Sequence, residues 1–287
     1  MRALLGICLI ATLTACTEHE PDVLPEPLAL EALRATSFET SLSYERPLEE
    51  GMSFTAYLLS YPYAGLKLYA MIAVPKSTAP EAGFPVVIAN HGYVPDPTRY
   101  GITAEGVDSR PGDYYRSVPE LYAARGFLVV IPDYRGHNSS EGLEYILEQQ
   151  LPGYFAEDVV AMMSVLAEIE SADLDNVFMW SHSMGGGVSM RALLATDIVK
   201  ASSFWATTNV DDLQGYFADL DGPVMIQHAA GDTSTEHSNS ERLAGALEAI
   251  GHPHVYVSYD SDDHYFEGEM RERAADRDAE FFRAQMQ

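Results

Sequence analysis

The apolar run Val177-Phe178-Met179-Trp180 leads directly into Ser181-His182-Ser183-Met184-Gly185-Gly186-Gly187, and helix-spaced residues Val188, Met190, Ala192, Leu193 and Leu194 follow. A buried strand that stops at a serine and turns back as a helix constrains this chain more than any other stretch. In such a turn the apical serine is held in a strained conformation. Small residues two before and two after it let strand and helix approach closely. The hydroxyl is thereby pushed out into a cleft. The usual pattern is G-x-S-x-G, and here Ser181 fills the first small position and Gly185 the second. Five residues alone specify little, because many glycine-rich turns fit; the strand before and the helix after give the pattern its weight.

The rest of the chain alternates in the same way. Residues 53–60 alternate apolar and polar, a turn follows at 62–65, and 66–74 reads as the partner of an antiparallel pair at one edge of a sheet. Residues 84–90 and 127–132 are short apolar runs of the kind buried on both faces of a parallel sheet, 201–207 and 223–228 read as further strands, and 254–259 is the last strand. Helical spacing over 114–125, 154–170, 240–250 and the charged C-terminal stretch to about 282 supplies the connections. The expectation is an α/β fold: a mostly parallel central sheet, helices on both faces and no large lid domain. Three connections are long, at 92–113, 136–153 and 207–222, and no internal repeat is present.

A chain of 287 residues, 47% apolar, suffices for one such domain, expected over 36–287. Its 17 basic and 43 acidic residues give a net charge of -26, which repels nucleic acid and anionic membrane surfaces and excludes nucleic-acid binding as a function. The acidity reads as a heavily solvated surface. Both cysteines, Cys8 and Cys16, lie at the extreme N-terminus, so the body holds no disulfide, cysteine-zinc site or thiol nucleophile. Arg2 and the apolar stretch after it have the charged start and short core of a secretion signal over 1–15, ending at Leu13-Thr14-Ala15-Cys16. This resembles a bacterial lipoprotein signal, which implies lipid on Cys16 and residence in the cell envelope, on the periplasmic side of the outer membrane. Several acyl chains at ~0.8 kcal/mol per buried CH₂ would make that attachment lasting. The competing interpretation is an ordinary signal cut after Ala15. Residues 17–28 are rich in Pro and Glu without apolar periodicity, and 16–35 is expected to be a flexible tether.

A serine hydroxyl is a poor nucleophile at neutral pH; it needs a base in reach, and the base needs a partner to fix its tautomer. Asp232 follows the strand at 223–228 and Gly231, and His264 lies in the loop after 254–259. Both stand where parallel strands deliver catalytic groups. Asp211, Asp212, Asp219 and Asp221 fall in a hydrophilic loop, whereas His228, His237, His252 and His254 lie in or at the start of elements, as structural or surface residues. Asp260, Asp262, Asp263 and His264 are too close in sequence to converge on one cation, and no metal or cofactor is implied. The oxygen that becomes negative needs donors, for which the amides of Met184 and Tyr93 are the candidates. His91 is placed as a buttress behind the second.

Taken together, His91-Gly92-Tyr93, Pro132-Asp133-Tyr134-Arg135-Gly136, Ser181 to Gly186, His228 with Asp232, and Tyr259 to His264 resemble the catalytic domain of the prolyl oligopeptidase family, within the α/β-hydrolase superfamily. The resemblance covers residues from 53 to the C-terminus. It implies a serine hydrolase with Ser183, Asp232 and His264 as its triad, a peptidase or esterase acting on a small ester or peptide. It also implies a Tyr93 hydroxyl able to assist the oxyanion and a mainly structural 133–136 turn. The chain departs from the family at Ser181, at Thr233-Ser234-Thr235, and in having no room for the β-propeller of the larger peptidases, which weighs against dipeptide release. Arg99, Tyr100, Arg110, Tyr114 and Tyr115, in and beside the 92–113 connection, are candidates for shaping the substrate site. A hydrolase-like fold serving only as an anchored binding protein is the alternative from another class. Oligomeric state leaves no mark on the sequence.

Overall fold

Strands that are apolar on both faces belong at the centre of a sheet, and β4 (Phe84–Asn90) and β5 (Leu128–Asp133) are buried at every residue. The computed structural model describes residues 26–48, 50–98, 113–147 and 151–287. Before β4 come α1 (Leu30–Ala35), β1 (Ser43–Pro47), β2 (Phe54–Tyr63) and β3 (Leu66–Pro75), and α2 (Val118–Ala123) separates β4 from β5. After β5 follow α3 (Pro152–Met163), β6 (Ala172–His182), α4 (Gly185–Ala195), β7 (Val199–Trp205), β8 (Val224–Ala229), α5 (His237–Ala249), β9 (His254–Tyr259) and α6 (Glu269–Arg283).

The strands form one sheet in the order β1-β2-β3-β5-β4-β6-β7-β8-β9. Pairing is antiparallel from β1 to β5 and parallel from β5 through β4 to β9. Because the last six strands run the same way, the loops leaving Asn90, His182, Ala229 and Tyr259 all emerge on one rim. Helices cover both faces. Phe155 and Val159 of α3, Val188 of α4 and Leu243 of α5 fill one layer. Tyr122 of α2, Phe127, and Ala274 and Phe282 of α6 fill the other.

Asp278 of α6 ties its layer to the sheet. Its buried carboxylate accepts hydrogen bonds from Ser203 Oγ at 2.6 Å, Gln227 Nε2 at 2.7 Å, Tyr122 Oη at 2.7 Å and Trp205 Nε1 at 2.8 Å. Burial without a cationic partner pushes its pKa up to about 7 against the pull of those donors.

Four expectations need correction. The flexible tether was expected to run to residue 35, but Leu30–Ala35 is a helix whose Leu30 and Leu33 are buried. Arg34 donates to the Leu194 carbonyl at 2.6 Å and pairs with Asp219 at 2.8 Å, so this segment is docked on α4 and its neighbours. The β2–β3 hairpin forms as expected, but β1 lies outside it and takes the edge. The helix expected over 154–170 ends at Met163, and the chain continues as a short helical turn at Leu166–Glu168 with Leu166 and Ile169 still buried. The helix expected over 114–125 is a tighter turn at Asp113–Ser117 followed by α2; Gly126, with φ of 83°, reverses the chain after it.

Candidate active site

The strand-to-helix reversal is present as the sequence requires. β6 ends at His182, Ser183 has φ of 56°, and α4 begins at Gly185. A non-glycine residue in that left-handed region is uncommon, and this one is held by its neighbours. The Ser183 amide donates to the Trp205 carbonyl at 3.0 Å, and the Ser183 carbonyl accepts from the Gly186 amide at 2.9 Å and the Thr208 amide at 3.3 Å. The turn is also packed to contact. A β-carbon on Gly185 would lie 2.2 Å from the Asn90 carbonyl oxygen, and one on Gly92 would lie 2.8 Å from Ser183 Cβ. Ser181, in the first small position, is fully buried.

The rim brings Asp232 and His264 together. His264 Nδ1 lies 2.6 Å from Asp232 Oδ2, and both residues are 8% exposed. A carboxylate only accepts, so Nδ1 carries a proton, and in the neutral ring Nε2 keeps its lone pair. The other carboxylate oxygen accepts from the Ser234 amide at 2.7 Å and the Thr235 amide at 3.1 Å. His228 Nε2 at 3.2 Å and Thr235 Oγ1 at 3.0 Å also reach Oδ2. Burial alone would push this carboxyl up; the hydrogen bonds of His228 and His264, the positive charge His264 carries when protonated, and the Thr235 amide outweigh it and hold Asp232 well below the usual carboxylate range.

Ser183 follows His182, whose Nε2 is 2.8 Å from the His264 carbonyl oxygen and whose ring centroid is 4.5 Å from that of His264. The base is thus held against the residue preceding the serine. Ser183 Oγ makes no hydrogen bond to His264 in this structure; such bonds often tighten only when substrate is bound. The Met184 amide stands at the N-terminal mouth of α4, where the first N–H groups have no intrahelical acceptor. The Gly92-Tyr93 peptide borders Ser183, as the close approach of Gly92 requires, and the Tyr93 side chain is 56% exposed. His91 is buried behind it, stacked on Tyr134 at 4.2 Å between centroids, with Nδ1 donating to the Gly92 carbonyl at 2.8 Å.

Other candidates separate from this centre. Arg135 of the 133–136 turn is buried in ion pairs with Asp158 at 2.7 Å and Glu157 at 3.1 Å, a structural role. Asp263 accepts the amides of Tyr265, at 2.9 Å, and Glu267, closing the loop that carries His264. Among the described residues no group of three or more His, Cys, Asp or Glu residues is arranged to hold a metal. Arg99, Tyr100, Arg110 and Cys16 lie outside the described residues, as does the side chain of Tyr114.

Sequence reasoning did not single out His182, and it placed Tyr115 only beside the 92–113 connection. His182 and Tyr115 are buried, and Tyr115 Oη lies 2.8 Å from His182 Nδ1. Burial, then repulsion from the positive charge His264 carries when protonated, pushes the His182 pKa down to about 3, so its ring is neutral at ordinary pH. No local pattern could have paired them, because they stand 67 residues apart.

One mixed sheet in this strand order, with a positive-φ serine after β6, its sixth strand, and an Asp–His pair on the same rim, decides the architecture. The fold is that of the α/β-hydrolases. A family model described as "Serine aminopeptidase, S33" matches residues 102–207. The acetyl xylan esterase 1 of Thermoanaerobacterium sp. is similar in structure, with a TM-score of 0.61 and 15% identity over 88% of this chain and 90% of that one. The acylaminoacyl peptidase of Pyrococcus horikoshii superposes with a TM-score of 0.65 and 16% identity over 82% of this chain; the match spans 42% of the peptidase. A cold-adapted esterase from an Arctic intertidal metagenomic library matches over its full length, with a TM-score of 0.61, 15% identity and 85% of this chain covered. No curated protein matches the sequence significantly.

Proposed function

We propose that this α/β-hydrolase-fold chain is a serine hydrolase that cleaves ester or amide bonds through an acyl-enzyme. The observation that carries the reading is the 2.6 Å Asp232–His264 pair, which fixes a proton on Nδ1 and so makes Nε2 the basic nitrogen of the neutral ring, on the rim that also bears the strained Ser183. His264 takes the Ser183 proton as the hydroxyl attacks the carbonyl carbon, and Asp232 holds the ring in the Nδ1–H tautomer and stabilises the imidazolium. The amides of Met184 and Tyr93 receive the oxygen that gains charge, each donor worth roughly 3 to 4 kcal/mol of barrier. His264 then returns the proton to the leaving group. Water, deprotonated by the same ring, attacks the acyl-enzyme and releases the acid.

Esters and amides pass through the same machinery, and pocket shape divides them. Parallel assays with p-nitrophenyl esters of increasing acyl length and with aminoacyl p-nitroanilides separate the two classes. Turnover of at least one series, abolished in Ser183→Ala, is expected. Turnover of neither would leave the fold serving as a binding scaffold. The leader reading adds a place of work: lipid on Cys16 would hold the enzyme in the cell envelope. The mass of the mature N-terminal peptide tests this, and an unmodified N-terminus at Cys16 or a retained Met1 would refute it.

A further inference from the structure

The reaction just described leaves two buried groups unused, the imidazole of His182 and the phenol of Tyr115, at 2% and 3% exposure. His182 Nε2 is 2.8 Å from the main-chain oxygen of His264, and Nδ1 is 2.8 Å from Tyr115 Oη. The Gly92 amide donates to that same phenolic oxygen. A carbonyl only accepts, so Nε2 bears the ring proton. In the neutral ring Nδ1 is then an acceptor, and the Tyr115 hydroxyl donates to it. The three hydrogen bonds therefore point one way, from Gly92 through Tyr115 and His182 to His264.

The two ends of this chain are the two backbones whose spacing the reaction depends on. Gly92 precedes the Tyr93 amide, and the His264 carbonyl belongs to the general base itself. His182, in the middle, is covalently joined to Ser183. We propose that Tyr115 and His182 are positioning residues, a buried strut that fixes the separation between the Gly92-Tyr93 loop and the His264 loop with Ser183 held between them. This rests on the hydrolase reading above. There is little slack in the arrangement, since a β-carbon on Gly92 would lie 2.4 Å from Tyr115 Oη. Buried hydrogen bonds in series strengthen one another, and removing one member strands its partners without water.

The test uses the full chain. In ¹⁵N-imidazole spectra His182 should be the Nε2–H tautomer, and the Gly92 amide should exchange slowly. Tyr115→Phe keeps the ring and removes the hydroxyl; it should shift the Nδ1 resonance and speed Gly92 exchange more than tenfold. Its kcat for p-nitrophenyl acetate should fall about 10- to 100-fold with KM within about twofold, as a sub-ångström misplacement of catalytic groups produces. His182→Gln retains a donor near Nε2 and loses the Nδ1 acceptor, and the double variant should lose little more than the worse single one. An Nδ1–H tautomer, unchanged Gly92 exchange with unchanged kcat in Tyr115→Phe, or fully additive losses would overturn the strut. A wild-type chain inert to both ester and phosphonate would instead sink the hydrolase reading, and the tautomer and exchange rates would still judge the strut.

Discussion

Three consecutive glycines after the serine look alike in sequence but face different surroundings. A β-carbon on Gly185 would stand 2.2 Å from the Asn90 carbonyl oxygen and 2.7 Å from that of His91, whereas one on Gly187 would make ordinary contacts, with the Pro152 ring at 3.4 Å and Arg191 Nη1 at 3.7 Å. Carbon and carbonyl oxygen rest no closer than about 3.3 Å, so Gly185→Ala must drive α4 and the end of β4 apart by roughly 1 Å. Such overpacking costs about 1–3 kcal/mol, and the intrinsic gain of alanine over glycine in a helix, about 1 kcal/mol, offsets part of it. A net loss of about 1 kcal/mol in a urea titration is expected on that basis. The activity effect is larger, because the displaced strand end leads into the Gly92-Tyr93 loop. A misplacement of about 1 Å there should lower kcat/KM for a p-nitrophenyl ester on the order of 100-fold. Gly187→Ala is the control, with activity within about threefold of wild type and stability unchanged or up to about 1 kcal/mol higher. Equal harm from both substitutions, or none from Gly185→Ala, would refute the packing argument.

Asp278→Asn preserves shape but sets an amide against donors. One of Gln227 Nε2 and Trp205 Nε1, neither able to accept, must face it, costing about 1–3 kcal/mol at pH 5. The sign of the pH dependence is distinctive: with its pKa raised to about 7 in the fold, Asp278 contributes stability that is fully present below its unfolded pKa and is lost as pH rises through 7, so the penalty of the Asn variant should shrink between pH 5 and pH 8 in urea titrations. His182 works in the opposite direction. Its folded pKa is depressed to about 3, so its contribution is complete above the unfolded value near 6.5 and fades as pH falls toward 3. The stability of wild type relative to His182→Gln should therefore drop by roughly 3 kcal/mol between pH 7 and pH 4, and a difference independent of pH would contradict the buried, neutral ring.

The sequence was most legible where a residue's environment is the same on every side. Strands such as β4 and β5 announce themselves because both faces are buried and every position before the last, Asn90 in one and Asp133 in the other, is apolar. β1 was missed because it is an exposed edge, Ser43-Tyr44-Glu45-Arg46-Pro47, held by backbone pairing to β2. α1 was hidden by the Pro and Glu around it; only Leu30 and Leu33, three apart on one face, reveal it in retrospect. The early end of α3 was illegible because Leu166 and Ile169 keep their helical spacing and their burial through a turn that is no longer α-helical. At the site, Ser183, Asp232 and His264 could be named from their places after strands, since a parallel sheet gathers those loops by topology. The partners that tune them could not. His228, set aside as a strand residue, reaches the Asp232 carboxylate because β8 and the loop after it fold back within four residues. Thr235 stood out only as a departure from the family pattern, yet both its amide and its hydroxyl hold that carboxylate.

The central claim concerns one oxygen atom. Incubation of the full chain with a fluorophosphonate, followed by peptide mass spectrometry, should place a single adduct on Ser183, absent in Ser183→Ala and slowed by several orders of magnitude in His264→Ala. An unlabelled wild-type chain, or an adduct that persists in Ser183→Ala, would contradict the account.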